Sequence, residues 1–145
     1  MSEQWTHIGD FLIYLGVTVP LLLFGLFVFM VTTPYNEYRM IREGSDVNDP
    51  RKQAIAKSAA HDLGGKIIGL ALVLASAIYH SVGIMDLIVW GVIGAIFQVI
   101  VFYLFELATP FSVVKEIRGG NVGVALFASR LSMATGLLMA ALISY

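Results

Sequence analysis

The chain has 145 residues, 58% hydrophobic and 13% charged, with a formal net charge of −1, and a mean hydropathy of +0.82. That leaves too few polar groups to coat a water-soluble globule and places the chain in a bilayer. The balance of charge gives no overall field for nucleic acid. The count of zero cysteines removes disulfides, thiolate catalysis and cysteine metal sites together.

In chain order, Met1–Asp10 carries no Lys or Arg, and the first apolar run, about 11–31, is too long for a signal peptide and has no small-residue cleavage site after it. It reads as a retained spanning helix. Next come Thr33-Pro34, a segment carrying Arg39 and Arg42, and Gly44. Thr33 suits an N-cap with Pro34 at the first helical position, and Gly44 suits the stop of a short helix. Residues 45–57 hold a polar insertion in which Asp49-Pro50 reads as a further N-cap and first position, so the second span is expected to start as a cytoplasmic helix over Arg51–Asp62 and enter the bilayer near Gly64.

The remaining spans fall at about 64–84, 87–107 and 123–144, each close to the roughly 20 residues that cross about 30 Å of hydrocarbon. Continuously apolar runs exclude the alternation of a membrane barrel. Between the last two spans stand Thr109-Pro110, Lys115, Arg118 and Gly120, which reproduce the first motif a constant 76 positions later. The register extends upstream, with Asp10 on Asp86, Tyr14 on Trp90 and Phe29 on Phe105. A repeat of this kind predicts an all-α, four-helix transmembrane protein built from two parallel two-helix repeats, residues 10–85 and 86–145, after a short outer-side N-terminus, 1–9.

All nine Lys and Arg lie around the first and third connections. By the positive-inside rule those connections are cytoplasmic and both termini lie on the outer face of a bacterial inner membrane, as a multi-pass protein. Each repeat would then cross in the same sense, with a pseudo-twofold axis along the membrane normal.

Small residues recur at four-residue spacing in the fourth span, at Ala128, Ser132, Gly136 and Ala140, and Gly65 and Gly69 mark the second. Such stripes let helices approach closely in lipid, either between spans two and four or between copies of the chain. Arg39 with Arg42, and Lys115 with Arg118, share a helix face at headgroup depth, where they serve as lipid anchors or as a cradle for an anionic partner.

Charges inside a bilayer are functional candidates by default. Helix rise places Arg130 roughly 8 Å inside the cytoplasmic edge and Glu106 near the same edge, so an intramembrane Glu106–Arg130 ion pair is expected. Asp10 and Asp86 suit helix N-caps near His7 and His80, and His61-Asp62 reads as a solvated pair. No metal-ligand spacing, nucleophile–base pair or phosphate loop stands out, so neither a metal, a cofactor nor an enzymatic activity is expected.

Thr33-Pro34-Tyr35-Asn36-Glu37, Ile41-Arg42-Glu43-Gly44, Leu74-Ala75-Ser76-Ala77-Ile78, Trp90-Gly91 with Gln98, Gly120-Asn121 and the ending from Gly136 to Tyr145 together resemble the bacterial inner-membrane family of domain of unknown function 350. The resemblance implies a two-helix unit that occurs singly or duplicated, an association with membrane-stress genes, and no defined activity. The chain departs from the family pattern at Met139, Val73 and Glu106, where asparagine, proline and arginine are usual. The resulting expectation is a non-enzymatic scaffold or partner in a membrane-stress system. Its partners would be the lipid bilayer, further copies of the chain as a homo-oligomer, and a cytoplasmic protein. The alternative is a subunit of a small oligomeric channel or transporter, with Ser76, Gln98, Glu106, Arg130 and Thr135 along its path.

Overall fold

In a computed structural model, residues 2–44 and 46–144 are described. Ser45, at the start of the expected insertion, and the terminal Met1 and Tyr145 lie outside the described residues. The chain forms α1 (Ser2–Thr32), α2 (Glu37–Glu43), α3 (Pro50–His80), α4 (Ile84–Ala108), α5 (Val113–Arg118) and α6 (Val122–Ile143). The order of long, short and long helix thus occurs twice. α1, α3, α4 and α6 are each long and apolar enough to cross a membrane.

α3 and α6 are the central pair, α4 packs on both, and α1 lies against α4 and α3. Trp5, Phe11, Leu23 and Phe27 of α1 are exposed. An apolar helix with so little protein around it is at rest only in hydrocarbon, which solvates it as well as a core would. Buried residues collect in three places: Tyr35, Phe102, Val113, Ile117 and Ala128 at the end that carries α2 and α5; Phe29, Leu63, Leu70 and Leu74 in the middle; and Val73, Met139 and Ile143 at the far end.

Several local expectations need correction. Thr33 and Thr109 do not cap α2 and α5. Their hydroxyls donate backwards to the carbonyls of Phe29 at 2.6 Å and Phe105 at 3.1 Å, closing the helix that is ending. The N-caps are Asn36 and Ser112, whose side chains accept from the backbone N–H of Arg39 and Lys115. One residue separates each proline from the cap, so Pro34 and Pro110 shape a bend rather than a first turn. Asp10 is interior to α1, and the 1–9 segment is helical from Ser2 on, not a separate tail. Asp86 lies in the first turn of α4 behind Gly83, where it accepts from the Val82 N–H at 3.1 Å.

Asp49 does cap α3, with Pro50 first. From there α3 runs unbroken for 31 residues, about 46 Å at 1.5 Å per residue, well beyond the hydrocarbon thickness. The helix that carries the second span begins at Pro50 and ends at His80; the 81–84 stretch expected inside it holds the turn and the first residue of α4. α2 stops at Gly44 and α5 at Gly119. Gly120 follows with a φ of +86°, and a Cβ there would stand 3.0 Å from the Ile55 nitrogen. That left-handed step, tight against α3, is open to glycine alone without strain.

Candidate functional site

Residues four apart on a helix share a face, and Ser58, Asp62 and Lys66 form such a row on α3. All three are buried. The bend after α1 lays Tyr35 beneath that row, and the Asn36 cap starts α2 so that Glu37 points at it. Lys66 Nζ stands 2.7 Å from Asp62 Oδ2 and 3.6 Å from Glu37 Oε1. The same ammonium reaches Thr33 Oγ1 at 3.5 Å and lies 4.1 Å from the centroid of the Phe102 ring. The Tyr35 hydroxyl donates to Asp62 Oδ2 at 2.8 Å.

Burial gives the cluster its chemistry. Glu37, Asp62 and Ser58 have 0% exposure and Lys66 has 2%. Two carboxylates and one ammonium are thus withdrawn from water together, at a cost that only pairing and hydrogen bonding offset. Pairing is incomplete. Both carboxyl oxygens of Glu37, Oδ1 of Asp62 and Oγ of Ser58 have no hydrogen-bond partner. The Thr33 hydroxyl, which could donate to Glu37, is committed to Phe29.

Burial first, then the charge of Asp62, pushes the Tyr35 phenol far above its ordinary range, so it remains a donor. Burial likewise pushes the Glu37 carboxyl up, against the opposing pull of Lys66. The arrangement can hold a proton, and it fastens α2 to α3.

Asp62 is therefore not half of a solvated pair; His61 beside it is exposed. Lys66, counted in the sequence among the charges that set topology, is the centre of the cluster. Of the residues that the repeat singles out, Thr33 takes part, and Tyr35 and Glu37 join it from the segment between Pro34 and Arg39. Pro34, Arg39, Arg42, Pro110, Lys115 and Arg118 are exposed, and Arg39 pairs with Glu43 at 2.7 Å in solvent. Counting 76 positions on before the insertion, and 67 after it because the insertion adds about nine residues, Tyr35, Glu37, Asp62 and Lys66 fall on Phe111, Val113, Ser129 and Met133. The ionic cluster belongs to the first half alone.

The expected Glu106–Arg130 pair is not formed. Glu106 turns toward α5, accepting from the Ser112 hydroxyl at 2.7 Å and the Val114 N–H at 2.9 Å. It is an added cap, filling donors that the start of a helix leaves open. Arg130 is exposed on α6, with its guanidinium 3.9 Å from Met133 Sδ. Reversing both charges should therefore give the sum of the two single losses, within roughly 0.5 kcal/mol. Rescue in the double variant, read as thermal stability in micelles, would restore the pair.

The small residues meet where α3 crosses α6. A Cβ on Gly65 would strike the backbone of Ser129, one on Gly69 the Ser132 carbonyl, and one on Gly136 the backbone of Gly69. Ala128 and Ser132 are buried in the same seam, and the Ala140 carbonyl accepts from Ser76 Oγ at 2.6 Å.

Four apolar helices around a small-residue seam, with one buried ionic cluster, define a multi-pass membrane protein. The chain belongs to the family described as Domain of Unknown Function (DUF350), which matches residues 3–143. It is similar to the UPF0719 transmembrane protein YshE of Bacillus subtilis (strain 168), 29% identical over 143 residues that cover 97% of this chain and 98% of that one. It is also similar to the UPF0719 inner membrane protein YjfL of Escherichia coli (strain K12), 26% identical over 143 residues, 96% of this chain and 99% of that one. No solved structure matches the chain significantly.

Proposed function

We propose that this is a non-enzymatic scaffold of a bacterial inner membrane, a partner in a membrane-stress system. It is built from two parallel copies of one helical unit and presents α2, α5 and the start of α3 to a cytoplasmic protein. The observation that carries the reading is where the polar groups of the spans go. Ser76 bonds the Ala140 carbonyl, Gln98 the Ser132 carbonyl at 3.0 Å, Thr135 the Leu131 carbonyl at 2.8 Å, and Glu106 caps α5. Each makes its hydrogen bonds within its own surroundings, with Gln98 Oε1 alone of the four left unfilled, whereas a conducting path needs such groups turned toward one another or toward a common axis.

At one end of the bundle Arg39, Arg42, Lys57, Lys115 and Arg118 are all exposed. The positive-inside rule makes that end cytoplasmic and puts both termini outside, and the inner-membrane name of the relative from Escherichia coli supports the same membrane. The lipid-facing breadth of α1 suits contacts between copies.

The test has two arms. Protein reconstituted in liposomes should carry no ion flux under voltage or a pH gradient. Photocrosslinkers at Arg51–Lys57 should capture an acidic cytoplasmic protein in cells, and the product should disappear when Arg39 and Arg42 are both changed to Glu. Flux from the purified chain would overturn the scaffold in favour of a channel.

A further inference from the structure

We propose that Glu37, Asp62 and Lys66 form a binding site for one exchangeable proton, carried on Glu37, and that its occupancy keeps α2 seated on α3. The inference stands apart from the scaffold reading and can fail without it. Its first ground is charge. Two carboxylates and one ammonium, all within 2% exposure, leave one negative charge uncompensated beneath the surface. A buried unpaired charge is neutralised by a proton more cheaply than it is endured.

Its second ground is which carboxylate is left over. Asp62 Oδ2 takes Lys66 at 2.7 Å and the Tyr35 hydroxyl at 2.8 Å. Glu37 has Lys66 only at 3.6 Å and no hydrogen bond at either oxygen. A proton on Glu37 turns one of those orphan acceptors into a donor, in a neighbourhood where Asp62 Oδ1 and Ser58 Oγ are also unfilled. Protonation thus removes a charge and supplies a hydrogen in one step.

Among the described residues no other ionisable group competes for the role. On α2 itself Arg39, Arg42 and Glu43 are exposed, with Arg39 and Glu43 paired to each other. The bend contributes Tyr35, held neutral and bound to Asp62. α3 contributes Asp62 and Lys66, with Lys57 and His61 exposed. From α4 come Phe102, whose ring faces Lys66, and Tyr103, whose hydroxyl is taken by the Thr32 carbonyl. α5 presents Val113 and Ile117, while Lys115 and Arg118 are exposed and Glu116 accepts from Asn121. α6 offers buried Ser129, with Arg130 exposed.

Because Glu37 opens α2, a seven-residue helix between the Thr33–Asn36 bend and Gly44, its charge state and the seating of that helix are linked. The sign follows from the direction of the shift. A carboxyl that prefers its proton when folded adds stability at low pH, and that stability is lost as pH rises from about 4.3, the ordinary carboxylate value, through the raised one.

The experiment uses the full chain in micelles. Infrared spectra at acid minus alkaline pH should show a protonated carboxyl band that vanishes in Glu37→Gln. Over the window above the ordinary value, the wild-type unfolding equilibrium constant should rise about tenfold per pH unit, and Glu37→Gln should be flat. Asp62→Asn leaves Glu37 and Lys66 as a neutral pair, so it should lose the slope as well and serves if Glu37→Gln does not fold. In a chain with no cysteine of its own, spin labels at Arg42→Cys and Lys57→Cys should move apart at alkaline pH in the wild type and stay together in Glu37→Gln.

A slope unchanged in both neutral variants, an infrared difference without the Glu37 band, or a label distance indifferent to pH would each overturn the proposal. So would stabilisation of the wild type, but not of Glu37→Gln, by sodium in place of choline at alkaline pH, since the exchangeable charge would then be a metal ion.

Discussion

Lys66→Met is expected to cost about 3–5 kcal/mol of stability, the toll of breaking a buried ion pair by removing one partner. Methionine keeps the length and apolar stem of the lysine, so packing against Phe102 survives and the loss isolates the charge. What disappears is the single ammonium that meets Asp62 at 2.7 Å and Glu37 at 3.6 Å. Asp62 would retain the Tyr35 hydroxyl, one hydrogen bond for a fully buried carboxylate.

Asp62→Asn combined with Lys66→Met should recover all but about 1–2 kcal/mol. The amide carbonyl still accepts from Tyr35, and with the proton on Glu37 no charge is then left without its partner. The measurement is a double-mutant cycle on unfolding in mixed micelles, with membrane protein level as the readout in cells. Additive losses, or a Lys66→Met chain as stable as wild type, would mean that the cluster is hydrated and contributes little. Its position argues otherwise, at the joint where α1, α2, α3 and α4 meet.

Most of the architecture could be read from hydropathy and punctuation. Four apolar runs gave four spans, Asp49-Pro50 gave the start of α3, and the glycines after each basic pair gave the ends of α2 and α5. Those features are local: a cap or a stop is decided within a turn of chain. The cluster was harder, because its members are spread from Thr33 to Phe102 and only tertiary contact joins them.

One signal was available. Asp62 and Lys66 stand four apart in a run whose counterpart, Ser129 and Met133, is neutral, and Glu37 likewise answers to Val113. Buried charges present in one half and absent from the other set the two halves apart. The sequence reads Asp62 as solvated and Lys66 as a topology charge because α3 is expected to enter the bilayer near Gly64, whereas α2, α5 and the bend after α1 extend the buried region past that point. Glu106 and Arg130 misled for the opposite reason. Equal depth says nothing about azimuth, and on α6 the buried row runs through Ser129, Ser132 and Gly136, leaving Arg130 turned outward.

The adjacent glycines of α3 give the second large effect. Gly65→Ala should destabilise by about 1–3 kcal/mol or more, the range for forcing a methylene into a full site, while Gly64→Ala should be neutral or stabilising by up to about 1 kcal/mol from helix propensity. A Cβ on Gly65 would lie 2.5 Å from Ser129 Oγ and 2.7 Å from the Ser129 carbonyl, whereas nothing lies within 4 Å of one on Gly64.

The obstacle at Gly65 is chiefly backbone, which cannot swing aside as a side chain can, so α3 and α6 must separate. Gly136→Ala meets Gly69 in the same way, with its Cα 2.5 Å from the new methyl. Once either methyl has spread the helices, the second finds part of its space made, so Gly65→Ala with Gly136→Ala should cost less than the sum of the two. If the stripe instead joined copies of the chain, the substitutions would change oligomer size and leave the monomer's unfolding alone. Thermal unfolding and light scattering on the same samples separate the two, and the closeness of Gly69 to Gly136 within one chain predicts that unfolding is what moves.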